Sequence, residues 1–503
     1  MRPRRSSPCA FLLAVAATAG CNAVGNHGDD GDTSVGDATG STGAHGESGP
    51  GSGADGSDGD ATGSSGDGDA DASSSGGGDD GDGCGAIVAF ADGLAPSSER
   101  HVATGGTDAE GCGAVASPCA TLQAALAGIT PGTAVRIHAG SYAGGTFAAG
   151  LAGSQDAPIW IGGAPGEARP VIEGGDVAIH LAGARYVVLH DLEIRNTLQD
   201  GLNLDDGGAT ADPDAARWIE LRGLFIHDIG TGGNNDCLKL SGVNDYLVRD
   251  GEFAACGDSG SAIDQVGCHR GLVVDNLFRD LPGPGNAVQT KGGSEDVEIR
   301  GNRFDHAGER AVNMGGSTGF EYFRPPLDAT AANAEARDIR VVSNRFVGSI
   351  SPIAVVGCVG CLVAHNTIVD PEHWVLRILQ ESVSGNGYEF APASDTTVVD
   401  NLVVFARAQV GAVVNVGPQT APETFTFSHN LWFAHDDPGA SDPGLPVTED
   451  AGIVGVDPML REDLGIDASS PAAGAGVVVE GVDADANGRC WAAPPSIGAF
   501  EVP

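Results

Sequence analysis

A short repeated motif in the middle of the chain constrains its fold more than any other feature. Four copies end in glycine, namely DCLKLSG (236–242), SAIDQVG (261–267), NAVQTKGG (286–293) and RAVNMGG (310–316). Each copy alternates inward apolar residues with outward polar ones before its turn. A second repeated unit lies between the copies, as in LVVDNLF (272–278) and VEIRGNRF (297–304). Two short strands per repeat, at a period of roughly 22–26 residues, predict a parallel β-solenoid in which each turn buries its apolar face against its neighbours.

The N-terminus has the pattern of an export signal. Arg2, Arg4 and Arg5 precede a short apolar run at 9–19, and small residues then lead to Cys21. This run is too short to span a membrane stably. The segment around Cys21 resembles a bacterial lipoprotein box, which implies lipidation of Cys21. Thr18 replaces the leucine usual in that box, so plain secretion stays open. We therefore predict a signal at 1–21 and membrane contact only through a lipid anchor.

Residues 22–83 consist almost wholly of Gly, Ser, Asp, Ala and Thr, with 14 acidic residues and no Lys or Arg. Such a segment cannot bury enough apolar surface to fold, so it is predicted to be a disordered linker. As a Gly-rich coil it would have an end-to-end distance of roughly 45 Å. This length suits a tether that holds a folded domain away from a membrane or wall.

The remaining residues, 84–503, are predicted to form one domain, since a solenoid grows by adding turns rather than by adding domains. The net charge of the whole chain is −42, and the linker and signal account for −11 of it, which leaves −31 for the domain. An acidic surface excludes nucleic acid as a partner, because nucleic-acid binding needs a basic face. We expect a monomer on the outer membrane or cell surface, or secreted.

Nine cysteines follow Cys21, and in an exported protein they favour disulfides. We expect Cys112 to pair with Cys119 across one loop, and Cys237 with Cys256 between adjacent turns. The odd number leaves at least one thiol free.

The start of the domain carries a family resemblance. Residues 101–142 run HVATGGTD, a loop, SPCATLQAALAGI and TAVRIHAGSY, with helical apolar spacing at 122–129 and a helix start at Ser117 and Pro118. This pattern resembles the opening of the pectate-lyase-like proteins. The resemblance implies an all-β fold, a single-stranded right-handed parallel β-helix, with a short helix capping its N-terminal end.

Asparagines recur at one position of the second unit, at Asn276, Asn302, Asn344, Asn366, Asn401 and Asn430. They are either a row of sugar contacts or a ladder that occupies left-handed turns and bonds along the solenoid axis. We favour the ladder. We likewise expect Phe278, Phe304 and Phe346 to stack in the core.

The glycine-ended strands predict an outward column of polar side chains. In order, it contains Asn203, Lys239, Asp264, Gln289 and Asn313, with Val355 interrupting it before Arg377. Asp205, Ser241 and Lys291 lie one outward position further along. Neighbouring turns are about 4.8 Å apart and alternate residues about 6.6 Å apart, so these side chains should form one patch. Asn203, Gln289, Asn313 and Arg377 are candidate substrate contacts.

Lysine is nearly absent from the chain. There are 24 arginines and only two lysines, Lys239 and Lys291, and both fall on this patch about two turns apart. A lysine near other cations can lose its proton and act as a general base. Two lysines placed by chance on a solvated face are the alternative.

This chemistry suits β-elimination on a polysaccharide that contains uronic acid. Lys291 is the predicted base, Arg310 the carboxylate partner or acid, and Lys239 a further catalytic residue. A Lys followed about twenty residues later by an Arg resembles the alginate-lyase and chondroitinase-B type. That resemblance implies a calcium ion, for which Asp264, Asp205 and Asp206 are the available ligands. Tyr322 and Arg324, in the loop at 320–337, are predicted to border the groove.

Two other functions remain open. NNDCLKLSG and DGLNLDDG resemble polygalacturonase segments, and glycoside hydrolysis needs an acid and a base carboxylate, but Gly-His-Gly and Arg-Ile-Lys are absent. The domain is alternatively a non-catalytic module that binds surface glycan or has a structural role. A groove filled by the 320–337 loop would favour the binding module, and an open groove containing both lysines would favour the lyase.

Overall fold

The computed structural model describes residues 83–230, 233–257 and 259–502, which belong to one compact unit. The predicted signal, with Cys21, and all but the last residue of the predicted linker lie outside this range. No helix in the described part of the chain has the length and apolar character needed to cross a bilayer.

Short strands make up nearly all of the regular structure. The first thirteen are β1 (Ser98–Val102), β2 (Thr133–Ile137), β3 (Ser141–Ala143), β4 (Thr146–Ala149), β5 (Ile159–Gly163), β6 (Val171–Glu173), β7 (Ile179–Ala182), β8 (Arg185–His190), β9 (Glu193–Arg195), β10 (Leu202–Asp205), β11 (Ala216–Arg222), β12 (Phe225–Ile229) and β13 (Leu238–Ser241). The next thirteen are β14 (Val243–Arg249), β15 (Glu252–Cys256), β16 (Ser261–Val266), β17 (His269–Val274), β18 (Leu277–Leu281), β19 (Asn286–Lys291), β20 (Ser294–Arg300), β21 (Arg303–Ala307), β22 (Arg310–Gly315), β23 (Ala332–Asn333), β24 (Ala336–Arg337), β25 (Arg340–Val342) and β26 (Arg345–Val347). The last twelve are β27 (Ser351–Val356), β28 (Cys358–Val359), β29 (Leu362–Ala364), β30 (Thr367–Val369), β31 (Leu376–Leu379), β32 (Glu389–Phe390), β33 (Thr397–Val399), β34 (Leu402–Phe405), β35 (Val414–Val416), β36 (Thr426–Ser428), β37 (Leu431–Ala434) and β38 (Ile453–Val454).

Three long parallel sheets wrap a single core. Sheet 1 runs β1-β2-β5-β8-β11-β14-β17-β20-β25-β29-β33-β36, with β24 and β28 attached; sheet 2 runs β4-β7-β10-β13-β16-β19-β22-β27-β31-β35; and sheet 3 runs β3-β6-β9-β12-β15-β18-β21-β26-β30-β34-β37-β38. Each complete turn contributes a strand to all three sheets, and the ladders between turns are parallel. The chain is therefore the right-handed parallel β-helix that the sequence predicts.

One α-helix, α1 (Leu122–Leu126), contacts the first strands of the solenoid, and short 3₁₀ helices lie at Phe320–Tyr322, Pro422–Thr424 and Pro438–Ala440. The helix is shorter than the predicted 122–129. It begins after Thr121, whose hydroxyl accepts a hydrogen bond from the Ala124 N–H, and not at Ser117 and Pro118.

The asparagine ladder is confirmed. The Oδ1 of Asn302 accepts a hydrogen bond from the Asn276 N–H at 3.0 Å, and the same bond links each later asparagine of the row to the next. All six side chains are buried, so they are not sugar contacts. The left-handed residue is the one before each asparagine, for example Asp275 (φ 54°), and not the asparagine itself. Phe278, Phe304 and Phe346 stack at 4.8 and 4.7 Å as expected.

Segments from both ends of the described chain cover the outer face of sheet 1. Residues near 90 pack on Trp160 and Val188, and residues 479–491 pack on Val342 and Val399. The Cys84–Cys490 disulfide joins these two segments, and Cys358 pairs with Cys361. Both disulfides expected from the sequence, Cys112–Cys119 and Cys237–Cys256, are present, and Cys268 is free and buried.

Candidate active site

The outer face of sheet 2 carries the predicted column of polar side chains. In consecutive strands the residues in register are Phe147, His180, Asn203, Lys239, Asp264, Gln289, Asn313, Ala354 and Arg377. Ala354, and not Val355, occupies the position before Arg377, because Val355 faces the core. The neighbouring outward column holds Asp205, Ser241, Val266 and Lys291, which places both lysines on one face.

A cleft of about 670 Å³ lies over this face. Its floor comes from sheet 2, and its walls come from the turn at 205–208 and the segment at 317–324. The side chains at its centre are Lys239, Asp264 and Lys291. Tyr322 lies on one wall and is 55% exposed. The 320–337 loop therefore borders the cleft, and the space above both lysines stays open.

Asp264 joins the two lysines. Its Oδ2 lies 2.8 Å from the Lys239 Nζ, its Oδ1 lies 3.1 Å from the Lys291 Nζ, and the carboxylate is 1% exposed. Burial raises the pKa of Asp264, but the two ammonium groups outweigh burial and lower the pKa to about 2. Asp264 is therefore ionised at every pH at which the protein would work.

Lys239 is bound from two sides, since the Asp236 Oδ2 lies 2.7 Å from its Nζ. Burial by itself lowers the pKa of Lys239, but Asp264 and Asp236 together raise it well above its usual value. Asp236 is fully buried, and burial raises its pKa to about 6 despite the contact with Lys239. Burial also raises the pKa of Asp200, which accepts a hydrogen bond from the Asp236 N–H. Lys239 is thus a permanent cation at the cleft floor.

Lys291 has a different set of contacts. Besides Asp264, its Nζ donates to the Gln289 Oε1 at 3.3 Å, and its side chain is 13% exposed. Among the described residues it has one carboxylate partner, where Lys239 has two.

Close backbone approach at two glycines holds the cleft wall in place. Arg324 packs directly against Gly267 and Gly242, where any side chain would collide with it. A Cβ added at Gly267 would lie 2.4 Å from the Arg324 Cβ, and one added at Gly242 would lie 2.7 Å from the Arg324 Nε. The Arg324 guanidinium donates to both oxygens of Asp206, at 2.6 and 3.2 Å. Arg324, predicted to contact substrate, is therefore mostly buried and bridges the two walls.

Glu335 fixes the same wall from behind. Its buried carboxylate accepts hydrogen bonds from the Gly292 N–H, the Thr318 N–H and hydroxyl, and the Ser382 hydroxyl. Burial raises the pKa of Glu335, although these donors act in the opposite direction. Gly292 directly follows Lys291, so this network ties the end of strand β19 to the segment at 317–324.

Several predicted site residues lie elsewhere. Arg310 pairs in register with Asn286, five positions before Lys291, which separates the two by roughly 16 Å along the strands. Arg310 binds Glu381 at 2.8 Å, so its expected place beside Lys291 is wrong. Arg377 stacks on Trp374 and binds Glu309, away from the cleft. Gln289 and Asn313 are buried and hydrogen-bonded within the protein. Of the predicted substrate contacts, Asn203 and Tyr322 do line the cleft.

The expected calcium ligands each have a cationic or imidazole partner. Asp264 binds both lysines, Asp206 binds Arg324, and Asp205 binds His180 at 2.6 Å. A calcium site needs several free oxygen ligands and no ammonium groups among them. The arrangement around Asp264 therefore does not fit a calcium ion. The group of Asp108, Cys112 and Cys119 is not a metal site either, because its cysteines form a disulfide.

His180 and Phe147 also line the cleft, and neither was predicted as a site residue. Their strands, β7 and β4, end in IHLAG (179–183) and TFAAG (146–150), so the glycine that follows each strand could have identified them. The register of sheet 2 is what shows that they continue the column of Lys239 and Asn203.

Comparison with known proteins supports the fold. No family model matches the chain, and no curated protein has a significantly similar sequence. Among solved structures, pectate lyase Pel9A is similar, with a TM-score of 0.53 and 14% identity over 82% of this chain and 98% of that one. The complex of XylC with xylose has a TM-score of 0.50 and 11% identity, over 80% and 98% of the two chains. The chain has the pectate-lyase-like right-handed parallel β-helix fold.

Proposed function

We propose that the protein is a polysaccharide lyase that cleaves a uronic-acid-containing polymer by β-elimination. The observation that carries the proposal is that the only two lysines of the chain share the buried Asp264 at the floor of one open cleft. Three further cations or hydrogen-bond donors, His180, Arg324 and Tyr322, line the same cleft. A cleft of this kind can bind a polyanion even though the domain as a whole is acidic.

The two lysines take different roles in this proposal. Lys239, held as a cation by Asp236 and Asp264, neutralises the uronate carboxylate, the part for which Arg310 lies too far away. Neutralisation makes the adjacent C5 proton acidic enough to be removed. Lys291, with one carboxylate contact, is the base.

The elimination then proceeds without another reactant. The Lys291 amine, having first given its own proton to solvent, takes the C5 proton, the C5–H electron pair forms the C4=C5 double bond, and the C4–O4 bond breaks. The Tyr322 hydroxyl gives its proton to O4 of the leaving sugar. The position of Tyr322 on the cleft wall and its exposure support this role. Proton exchange with solvent restores both side chains.

Glycoside hydrolysis is the second candidate, and one observation favours it. Asp236 and Asp264 both contact the Lys239 Nζ, so their nearest oxygens lie within about 5.5 Å of each other, and their pKa values differ, at about 6 and about 2. Such a split is what an acid and base pair requires. Asp236, however, is fully buried beneath Lys239, which leaves it no direct contact with a sugar.

We further propose that the protein is exported and anchored through a lipid on Cys21, as a monomer. Four disulfides in the described residues are consistent with export, since such bonds persist in oxidising compartments. The proposed tether at 22–83 would let the cleft reach polymers away from the membrane.

The products distinguish the proposed reactions. The full-length protein would be incubated with polygalacturonate, alginate, chondroitin and hyaluronan, each with and without chelator. Ultraviolet absorbance reports the unsaturated product of elimination, and a reducing-end assay reports all cleavage. We expect both signals to rise on one polymer, with or without chelator. Reducing ends without ultraviolet absorbance would indicate hydrolysis, and binding with neither signal would indicate a non-catalytic glycan-binding module.

A further inference from the structure

One end of the cleft carries an exposed aromatic ring. Phe147 on β4 is 51% exposed and lines the cleft, at the first position of the outward column of sheet 2. Its backbone is fixed, because the Phe147 N–H donates to the Gln123 side chain of α1 at 2.9 Å. Exposing a large ring costs hydrophobic free energy, which binding of an apolar surface would recover.

The two residues next in the column add polar groups to this ring. His180 lies edge-on to Phe147, with ring centroids 5.0 Å apart, and its Nε2 bonds the Asp205 Oδ2. This bond fixes the imidazole orientation and leaves its other nitrogen for a ligand. The Asn203 Oδ1 is buried and accepts no hydrogen bond from any described residue. The Asn203 side chain nevertheless lines the cleft beside His180, so its amide is available to a ligand hydroxyl.

We propose that Phe147, His180 and Asn203 form a sugar-binding subsite, separate from the lysines, that takes an uncharged sugar ring. The C–H face of the sugar packs on Phe147, and its hydroxyls bond His180 and Asn203. Asp205 and Asp206 already bond His180 and Arg324 beside the subsite, so a uronate carboxylate finds no unpaired cation there. This inference rests on the proposed function, since it assumes that the cleft binds a polysaccharide.

The subsite lies several strands away from the two lysines at which cleavage is proposed. Phe147 and Lys239 lie three strands apart in sheet 2, or about 14 Å. A disaccharide seated on the lysines does not reach Phe147, whereas a longer oligosaccharide along the solenoid axis does. The substrate then has an uncharged sugar a few units from the uronate that is cleaved.

Binding by oligosaccharides of different lengths tests the subsite. Calorimetric titrations would use the full-length Lys291→Ala protein, to prevent cleavage, with disaccharides and octasaccharides of the four polymers named above. Phe147→Ala is the test variant. Phe225→Ala is the matched control, because Phe225 also contacts a histidine ring, that of His227, but lies on sheet 3.

We expect Phe147→Ala to weaken octasaccharide binding by three- to tenfold, most strongly for chondroitin and hyaluronan, in which neutral and acidic sugars alternate. Disaccharide binding and the Phe225→Ala variant should be unchanged. Equal octasaccharide affinities for Phe147→Ala and Phe225→Ala would overturn the subsite, even if the wild type forms unsaturated products. A selective loss in Phe147→Ala together with no unsaturated product from the wild type would support the subsite and overturn the lyase proposal alone.

Discussion

Replacing Asp264 by asparagine should destabilise the central turns of the solenoid. Asp264 is buried and contacts two lysines, and its pKa lies nearly two units below the usual 3.8. At 1.36 kcal/mol per pKa unit, the ionised carboxylate contributes about 2 to 3 kcal/mol to stability at neutral pH. Asparagine keeps the shape but leaves Lys291 without an anionic partner among the described residues.

The sign of the pH dependence follows from the depressed pKa. A carboxyl group of this kind stabilises the folded state above the unfolded pKa, near 3.8, and loses that contribution as pH falls toward about 2. Burial, together with the charge of Asp264, raises the pKa of Asp236 to about 6, so the difference between wild type and Asp264→Asn should be constant only above about pH 7, where Asp236 is ionised in both proteins. It should shrink below about pH 4.

Hydrogen exchange and urea unfolding provide the assay. Since each turn contacts only its neighbours, faster exchange should be concentrated in β13, β16 and β19. The double variant Asp264→Asn/Lys291→Met removes the unpaired charge and should recover about 1 kcal/mol of the loss. A decrease in the free energy of unfolding below about 0.5 kcal/mol for Asp264→Asn would contradict the ionic role of Asp264. So would a decrease in the double variant that equals the sum of the decreases in the two single variants.

Three further predictions concern other parts of the molecule. Glu335→Gln should raise KM more than it lowers kcat and should speed proteolysis near 318–324, because it weakens the network that holds the cleft wall. Asp400→Asn should gain stability relative to wild type as pH rises from 4 to 8, by up to about 4 kcal/mol: burial raises the pKa of Asp400 to about 7, so the wild type loses stability as this group ionises. Cys268 should resist alkylation until the protein unfolds, since burial raises its pKa to about 12.

Each of these has a control. Glu389→Gln changes an exposed glutamate of the β23–β32 pair and should leave KM unchanged; an equal effect would remove the special role of Glu335. For Asp400, burial holds the pKa of the neighbouring His365 near 4, so His365 stays neutral over most of this range and does not offset the carboxylate. A pH-independent stability difference would contradict the buried acid. Rapid labelling of Cys268 in the folded protein would show that the turn at 266–268 opens locally.

Much of the fold was predictable because a solenoid repeats its local chemistry. The glycine-ended motif defines sheet 2, and its alternation set the register that places Lys239, Asp264 and Lys291 together. The buried asparagine ladder followed in the same way. The repeat did not predict that the left-handed residue would be the one before each asparagine. Asp, Ser and His also adopt the left-handed conformation, so residue type alone does not identify the position.

The remaining features of the site depend on contacts that the repeat does not encode. Arg310 follows Lys291 by nineteen residues, but it starts its strand while Lys291 ends its own, so sequence proximity was misleading. The bridge from Arg324 to Asp206 spans 118 residues, and the Cys84–Cys490 disulfide spans 406. Phe147 and His180 lie in two short glycine-ended strands, TFAAG (146–150) and IHLAG (179–183), and the three-dimensional register of sheet 2 brings them to the cleft.

The ultraviolet assay on the polymer that wild type cleaves decides whether the lysine pair on Asp264 is a catalytic centre for elimination. Lys291→Ala is compared with Arg279→Ala, which removes a cation on the opposite sheet 3. We expect at least a hundredfold loss of kcat for Lys291→Ala, the size expected for removing a general base, and wild-type rates for Arg279→Ala. Unsaturated product formed at the wild-type rate by Lys291→Ala would show that Lys291 is not the base.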